Sequence, residues 1–234
     1  MLNTYVALDL ETTGLAPKHD KIIEIGALKV VDGHETDTFS SFVNPGRKLE
    51  ERIVELTGIR DTQLSDAPYI EEILDSLFDF LGDFPLLGHR ILFDYSFLKK
   101  AAVDYKRSFE KSGVDTLRIA RRYLPELEHK NLPYLCTYYQ IPHQAHRAFQ
   151  DAEATHKLYQ KLAELFYKDE EAALFLPAPL HYAAKRDTPA TKPQKERLYR
   201  LLSQHNITLD LDVEKLTRSE ASRMTDKLLA TYGR

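Results

Sequence analysis

Four acidic residues lie at positions where their carboxylates could together bind a metal ion. Asp9 and Glu11 close an apolar run two positions apart, so on a strand both would point to the same face. Asp94 follows another short apolar run, and Asp151 follows His146 by five positions. Each acid alone has an ordinary alternative, because solvated acids end many strands and an acid in a first helical turn complements the helix dipole. Only their convergence on one place would make them a site.

The chemistry of four converging carboxylates is that of a hard-cation site. Carboxylate oxygens suit Mg²⁺ or Mn²⁺, and a single cysteine, Cys136, leaves no thiolate set for zinc. Two such ions about 3.5–4 Å apart can activate a water and stabilise a leaving oxygen in phosphoryl transfer. The sequence therefore predicts a metal site that acts on a phosphate ester.

The elements that must bring these acids together indicate an α/β fold. Three apolar runs separated by turn signals predict antiparallel strands over 5–10, 22–31 and 38–43. Apolar residues at helical spacing predict helices over 70–81 and 148–166. An antiparallel start followed by strands that alternate with helices predicts a mixed sheet flanked by helices. In such a fold, the ends of strands and the starts of helices can converge at one edge of the sheet.

A change in composition divides the chain. Prolines interrupt the stretch between about 168 and 193, namely Pro177, Pro179, Pro189 and Pro193. Beyond it, two pairs have the spacing of helix capping boxes, namely Thr191 with Gln194 and Thr217 with Glu220. We therefore predict an α/β unit over 1–168, a linker over 169–190 and a small helical module of unknown role over 191–234.

Charge and hydropathy narrow the class of protein. The formal net charge is −4, but residues 185–234 hold 11 Lys/Arg against 7 Asp/Glu, so the acidity belongs to the rest of the chain. No apolar run approaches the roughly 20 residues that span a bilayer. We expect no secretory signal at the N-terminus, and one cysteine cannot form an intramolecular disulfide. We expect a cytoplasmic protein with no membrane partner.

Three motifs, in this order, carry a resemblance to a known family. Residues 6–15 with 22–27, then residues 89–98, then residues 146–152 resemble the three motifs of the DEDD 3′–5′ exonucleases. The third motif is similar to that of the histidine branch, DEDDh, because His146 stands five positions before the aspartate. The tyrosine branch would place Tyr at the next position, which is Arg147. The pattern is most similar to that of the proofreading epsilon subunit of bacterial DNA polymerase III.

The resemblance implies a ribonuclease-H-like fold and specific roles for the site residues. Asp9, Glu11 and Asp151 would bind one Mg²⁺ (or Mn²⁺), and Asp9 would bridge to a second ion that Asp94 holds. His146 would be the general base, which suits histidine because its unperturbed pKa lies near the operating pH. The residues that would bind the substrate are Thr12, Thr13, Gly14, Leu15, His89 and Phe97.

The function implied is hydrolysis of the terminal phosphodiester of single-stranded or frayed DNA ends, in proofreading or repair. The products would be nucleoside 5′-monophosphates. One alternative is an RNA 3′-end trimming exoribonuclease on the same fold. Another is a non-catalytic nucleic-acid-binding or polymerase-associated subunit, against which the intact set of four acids and a histidine argues. DNA 3′ ends are the expected partner, and the linker contains no clamp-binding peptide that would support association with a polymerase.

One position departs from the family pattern. The residue after His89 is commonly Asn in these exonucleases, and here it is Arg90. The predicted metal ligands are unaffected by this change. Arg90 could contact a phosphate, which the guanidinium fork suits, or it could be a surface residue without a role.

Overall fold

The described part of the chain forms two units. The structure, a computed structural model, describes residues 1–208 and 212–233. The first unit comprises Met1–Pro45 and Leu49–Ala184, and the second comprises Gly46–Lys48 and Lys185–Arg234. Within the described residues, none of the helices has the length and the apolar character needed to cross a membrane.

A six-stranded mixed sheet lies at the centre of the first unit. Its strands are β1 (Tyr5–Thr12), β2 (Ile22–Val31), β3 (His34–Phe42), β4 (Leu86–Gly88), β5 (Ser112–Asp115) and β6 (Ala178–Pro179). Their spatial order is β3-β2-β1-β4-β5-β6. The first three strands pair antiparallel, β4 pairs parallel with both β1 and β5, and β6 is antiparallel to β5. The predicted mixed sheet with an antiparallel opening is confirmed.

Helices cover both faces of this sheet. They are α1 (Glu51–Thr57), α2 (Asp61–Leu64), α3 (Ile70–Leu81), α4 (Leu92–Asp104), α5 (Thr116–Tyr123), α6 (Leu132–Tyr138) and α7 (Ala148–Phe166). Alternate residues of β1 serve the two faces, as the period of a strand requires. Tyr5 and Ala7 pack in a core with α5, α6 and α7, whereas Val6 and Leu8 pack in a second core with α3 and α4. The central strand is therefore buried on both sides and holds its last residues in fixed positions.

Part of the predicted linker is structured and belongs to the first unit. Asp169–Phe175 forms a 3-10 helix, and β6 follows it. The ring of Phe175 is fully buried and contacts the rings of Tyr123, Tyr159 and Tyr167. Pro179, one of the prolines that suggested a linker, is compatible with this arrangement because β6 is an edge strand, where a residue without an N–H is tolerated.

The described part of the second unit contains the α-helices α8 (Lys192–Gln204) and α9 (Arg218–Tyr232), with a 3-10 helix at Val213–Lys215 between them. Both begin at the expected capping residues. The backbone N–H of Thr191 donates to Gln194 at 3.0 Å, and the backbone N–H of Thr217 donates to Glu220 at 2.9 Å. Apolar residues from both helices and the segment between them form one core, which includes Leu198, Leu202, Val213, Leu216, Ala221 and Leu228.

Candidate active site

The end of β1 and the start of α7 meet because of one glycine. Asp9 pairs with Gly26 on β2, and a side chain at Gly26 would place its Cβ 2.1 Å from the backbone nitrogen of Phe149. Any Cβ there would collide with the first turn of α7, so glycine is required for the helix to approach the sheet this closely. The approach brings Asp151, on the first turn of α7, to the carboxyl end of β1.

Three of the predicted metal ligands form a compact carboxylate cluster. Ligand oxygens of Asp9, Glu11 and Asp151 all lie within 4.8 Å of one another. Asp94, on the first turn of α4, is 3% exposed, and its Oδ1 accepts a hydrogen bond from the backbone N–H of Leu10 at 3.0 Å. All four acids line one cleft of about 250 Å³. Such a set of oxygen donors could hold a divalent cation.

Burial and mutual repulsion make this cluster unfavourable when it carries its full negative charge. Burial raises the pKa of Asp9 well above its usual value, and the charges of Asp94, Asp151 and Glu11 raise it further. Burial likewise raises the pKa of Asp94, against the hydrogen bond from Leu10. The pKa of Glu11 rises to about 8, through burial first and then through Asp151. A bound cation would relieve this repulsion, which is the electrostatic condition expected of a metal site.

A pH-dependent loss of stability is expected from Glu11 in the metal-free protein. Its pKa is raised from 4.5 in the reference state to about 8, so the folded state favours the protonated side chain. The contribution of this group to the free energy of unfolding is therefore fully present below pH 4.5 and is lost as the pH rises to about 8. Glu11→Gln should therefore become progressively more stable than the wild type across this range. Melting temperatures of both proteins in EDTA, measured between pH 4.5 and 8, provide the test.

Excess Mg²⁺ should make the wild type melt at a higher temperature than Glu11→Gln, because the cation stabilises the carboxylate that the variant lacks. A melting difference between Glu11→Gln and wild type that does not change with pH would contradict the prediction.

His146 lies on the loop before α7 and lines the same cleft as the four acids. Its side chain is exposed, and its ring forms no hydrogen bond within the described residues. Its backbone φ is +65°, a left-handed conformation that is uncommon for a residue with a side chain. The ring is thus free to contact a substrate or a water in the cleft. The structure places all five predicted catalytic residues at this cleft.

A second histidine, His143, contacts the cluster and was not predicted from the sequence. Its Nε2 lies 2.6 Å from Oδ1 of Asp151, and the backbone N–H of Arg147 donates to Oδ2 of Asp151 at 3.0 Å. The side chains of His143 and Asp151 are only 6% and 10% exposed. Both carboxylate oxygens of Asp151 therefore have protein partners that fix its orientation. No helix or strand periodicity links residues eight apart across a loop, so the sequence offered no signal for this contact.

Replacing His143 with Ala is expected to weaken Mn²⁺ binding about 10–100-fold, the usual effect of removing a residue that orients a metal-binding carboxylate. Calorimetric titration of the protein with Mn²⁺ measures this directly. His143→Gln, which keeps a donor nitrogen, should retain part of the affinity. An unchanged affinity in His143→Ala would mean that the contact has no part in holding the cation.

Glu24 is a buried acid beside the cluster whose role was not predicted from the sequence. It lies opposite Glu11 on β2 and is 2% exposed. Its carboxylate accepts hydrogen bonds from the Arg147 guanidinium at 3.0 Å and from the backbone N–H of Ala148 at 3.1 Å. The pair ties the first turn of α7 to the sheet, so it holds the loop residue His146 and the helix residue Asp151 in place.

The predicted substrate-binding residues divide into two groups. Leu15, 79% exposed, and His89 line the cleft, and both His89 ring nitrogens are hydrogen-bonded, one to Thr116 and one to Lys130. The others are not among the residues that line it. The Thr12 hydroxyl donates to the carbonyl of Gly14, the Thr13 hydroxyl accepts from the backbone N–H of Lys21, and Phe97 is buried in the core with α3 and α4.

Comparison with known proteins places this site in a family. The family model described as Exonuclease (RNase_T) matches residues 6–159. The chain is similar to a DNA polymerase III PolC-type from Oceanobacillus iheyensis, with 34% identity over 241 residues that cover 97% of this chain and 17% of that protein. The chain thus spans only about a sixth of the length of this relative.

Solved structures agree on the fold. Exonuclease X in complex with 5′ overhanging duplex DNA has a TM-score of 0.58 at 23% identity, over 72% of this chain and 97% of that one. The nuclease domain of 3′hExo, described as a DEDDh family member bound to rAMP, has a TM-score of 0.58 at 16% identity, over 75% of this chain and 96% of that one. At these identities the likeness concerns the fold, and the predicted ribonuclease-H-like fold is confirmed.

The family match covers both the strand that ends in Asp9 and Glu11 and the helix that begins near Asp151. It also covers Asp94 and His146, so all three motifs that carried the resemblance lie inside it. The resemblance to 3′–5′ exonucleases is confirmed at the level of the family, and the chain belongs to the exonuclease family.

Proposed function

We propose that this chain is a metal-dependent 3′–5′ exonuclease that removes nucleotides from single-stranded or frayed DNA ends. The observation that carries the proposal is the convergence of Asp9, Glu11 and Asp151 within 4.8 Å, in a cleft that Asp94 and His146 also line. The donor set consists of oxygen atoms, which fits Mg²⁺ or Mn²⁺. An exposed cleft of this size admits a strand end, whereas a buried core cavity would not.

In the proposed reaction, Asp9, Glu11 and Asp151 would hold one divalent cation, and Asp9 together with Asp94 would hold a second. When bound, the cations would supply positive charge that stabilises the negative charge developing on the phosphate and on the leaving oxygen. His146 accepts the proton of the attacking water from its exposed position at the cleft. The water oxygen forms a bond to phosphorus as the phosphorus–O3′ bond breaks, and the terminal nucleotide leaves as a nucleoside 5′-monophosphate. The O3′ atom of the preceding nucleotide takes a proton from solvent and becomes the new 3′-hydroxyl.

DNA is the proposed substrate because the similar curated relative is named a DNA polymerase III PolC-type. Exonuclease X, with the same fold, is described in complex with duplex DNA. The alternative of RNA trimming is kept because 3′hExo is described bound to rAMP. Within the chain, the exposed side chain of Leu15 at the cleft offers a surface on which a terminal base could pack. Work in proofreading or repair, association with a polymerase and a cytoplasmic location stay predictions.

Digestion of matched 5′-labelled DNA and RNA oligonucleotides tests this function. In Mg²⁺ or Mn²⁺ we expect a ladder of DNA products shortened from the 3′ end, and none in EDTA. Faster digestion of RNA than of DNA would favour the trimming alternative. Absence of any ladder from either substrate, with the protein folded and metal present, would favour a non-catalytic nucleic-acid-binding subunit.

A further inference from the structure

Arg90 places a permanent positive charge in the cleft that the four acids line. It shares the cleft with Asp9, Glu11, Asp94 and Asp151. Its side chain is exposed, and within the described residues its guanidinium forms no ion pair with any carboxylate. The guanidinium carbon lies 5.9 Å from the centre of the Phe93 ring, at the wall of the cleft. A positive group beside four acids that pairs with none of them is available to an anionic ligand.

The backbone of Arg90 is held in a conformation that a side chain disfavours. Its φ is +76°, in the left-handed region. Two hydrogen bonds maintain it: the Arg90 N–H donates to Asp115 Oδ1 at 2.9 Å, and the Arg90 carbonyl accepts from the Phe93 N–H at 2.8 Å. Asp115 is itself fixed, because it pairs with Gly88 across the sheet and also caps α5. Strained residues held in this way cluster at functional sites, and His146, at the same cleft, has a positive φ as well.

We propose that Arg90 binds a phosphate of the bound strand, and that this phosphate is a neighbour of the one that is cleaved. The proposal rests on the exonuclease function proposed above. The cleaved phosphate would lie at the carboxylate cluster, where bound metal ions meet its charge. Arg90 is not paired with that cluster, so its charge remains for the next phosphate along the strand. A guanidinium presents a planar fork of donors that matches phosphate oxygens, and the Phe93 ring supports its position.

This role makes Arg90 a residue that distinguishes a strand from a single nucleotide. An oligonucleotide carries both the cleaved phosphate and its neighbours, whereas the p-nitrophenyl ester of thymidine 5′-monophosphate carries the cleaved phosphate alone. Loss of the guanidinium should therefore weaken the use of the first substrate and leave the second unchanged.

The test compares wild type with Arg90→Asn, because Asn tolerates a positive φ and keeps the backbone N–H to Asp115. We expect KM for a single-stranded oligothymidylate to rise about tenfold with kcat little changed, as for the loss of one charge-assisted hydrogen bond. Turnover of the p-nitrophenyl ester should stay the same. In an Asp9→Asn background, the slope of log Kd against log salt should fall by about 0.7, the value for one phosphate of a single strand.

Two further variants show that the effect belongs to this residue. Arg122→Asn removes an exposed arginine that does not line the cleft, and it should change neither KM nor the salt slope. Arg90→Lys keeps the charge but not the fork, and it should recover only part of the affinity. The melting temperature of Arg90→Asn should not fall below that of wild type, since the strained backbone is retained by a residue that accepts it.

The outcomes separate this proposal from the exonuclease function on which it rests. An unchanged oligonucleotide KM and salt slope in Arg90→Asn would overturn it. An equal loss on both substrates would also overturn it, because Arg90 would then act on the cleaved phosphate. A wild type that cleaves neither substrate, while Arg90→Asn still lowers the salt slope, would overturn the exonuclease function and support the phosphate contact.

Discussion

Replacing Asp9 with Asn is expected to slow nucleotide release by about 10³–10⁴-fold. A bound metal ion lowers the activation free energy by several kcal/mol, and each ~1.36 kcal/mol that is lost slows the reaction about tenfold. Asp9 is the acid that the proposal assigns to both ions. It stands in the carboxylate cluster with Glu11 and Asp151, and Asp94 lies beside it. An amide of the same shape leaves the cleft intact but removes one of its negative charges. The rate of product formation from a 5′-labelled DNA oligonucleotide in Mg²⁺ measures the loss.

The same substitution should stabilise the metal-free protein. Burial, and then repulsion from the neighbouring acids, raises the pKa of Asp9, so the wild-type cluster is destabilised at neutral and higher pH. Asn removes that repulsion, and each kcal/mol gained raises the melting temperature of a chain of this size by about 2–4 °C. Added Mg²⁺ should raise the melting temperature of the wild type and have little effect on the variant.

A matched acid pair provides the control for Asp9→Asn. Glu35 and Asp37 have the same spacing as Asp9 and Glu11 but lie exposed on the edge strand β3. Asp37→Asn should leave both the rate and the response to Mg²⁺ unchanged. Survival of the product ladder in Asp9→Asn would contradict the assignment of metal ions to the cluster.

The elements and the neighbouring pairs of site residues could be predicted from the sequence because they follow local rules of spacing. The period of β1 puts Asp9 and Glu11 on one face, and the spacing of the third motif puts His146 and Asp151 on either side of a helix start. The capping pairs Thr191–Gln194 and Thr217–Glu220 likewise involve residues three apart. Each of these arrangements is completed within one turn or one strand.

The contacts that could not be predicted join residues with no local relation. Glu24 and Arg147 are 123 positions apart, and their pairing requires β2 and α7 to approach across Gly26. Phe175 stands two positions before Pro177, and its packing against Tyr123 and Tyr159 joins part of the predicted linker to the first unit. Such contacts form only when distant parts of the chain pack together, so they cannot be predicted from residue spacing and composition.

Replacing His146 with Ala is expected to lower kcat by about 10²–10⁴-fold, the usual contribution of a general base. His146 lines the cleft with an exposed ring and takes no part in the hydrogen bonds that hold Asp151. The affinity for Mn²⁺ should therefore stay within a few-fold of wild type. This separates it from His143, whose loss should reduce Mn²⁺ affinity but leave most of kcat at saturating metal. Single-turnover rates at increasing Mn²⁺ measure both quantities for each variant.

Added imidazole gives a readout that a structural role for His146 would not produce. The exposed position of the ring leaves a space at the cleft that free imidazole can enter in His146→Ala, so part of the rate should return with imidazole concentration. His129→Ala, at an exposed histidine that does not line the cleft, should show neither the loss nor the rescue. Loss of Mn²⁺ binding in His146→Ala, without rescue by imidazole, would instead make His146 a ligand of the metal site.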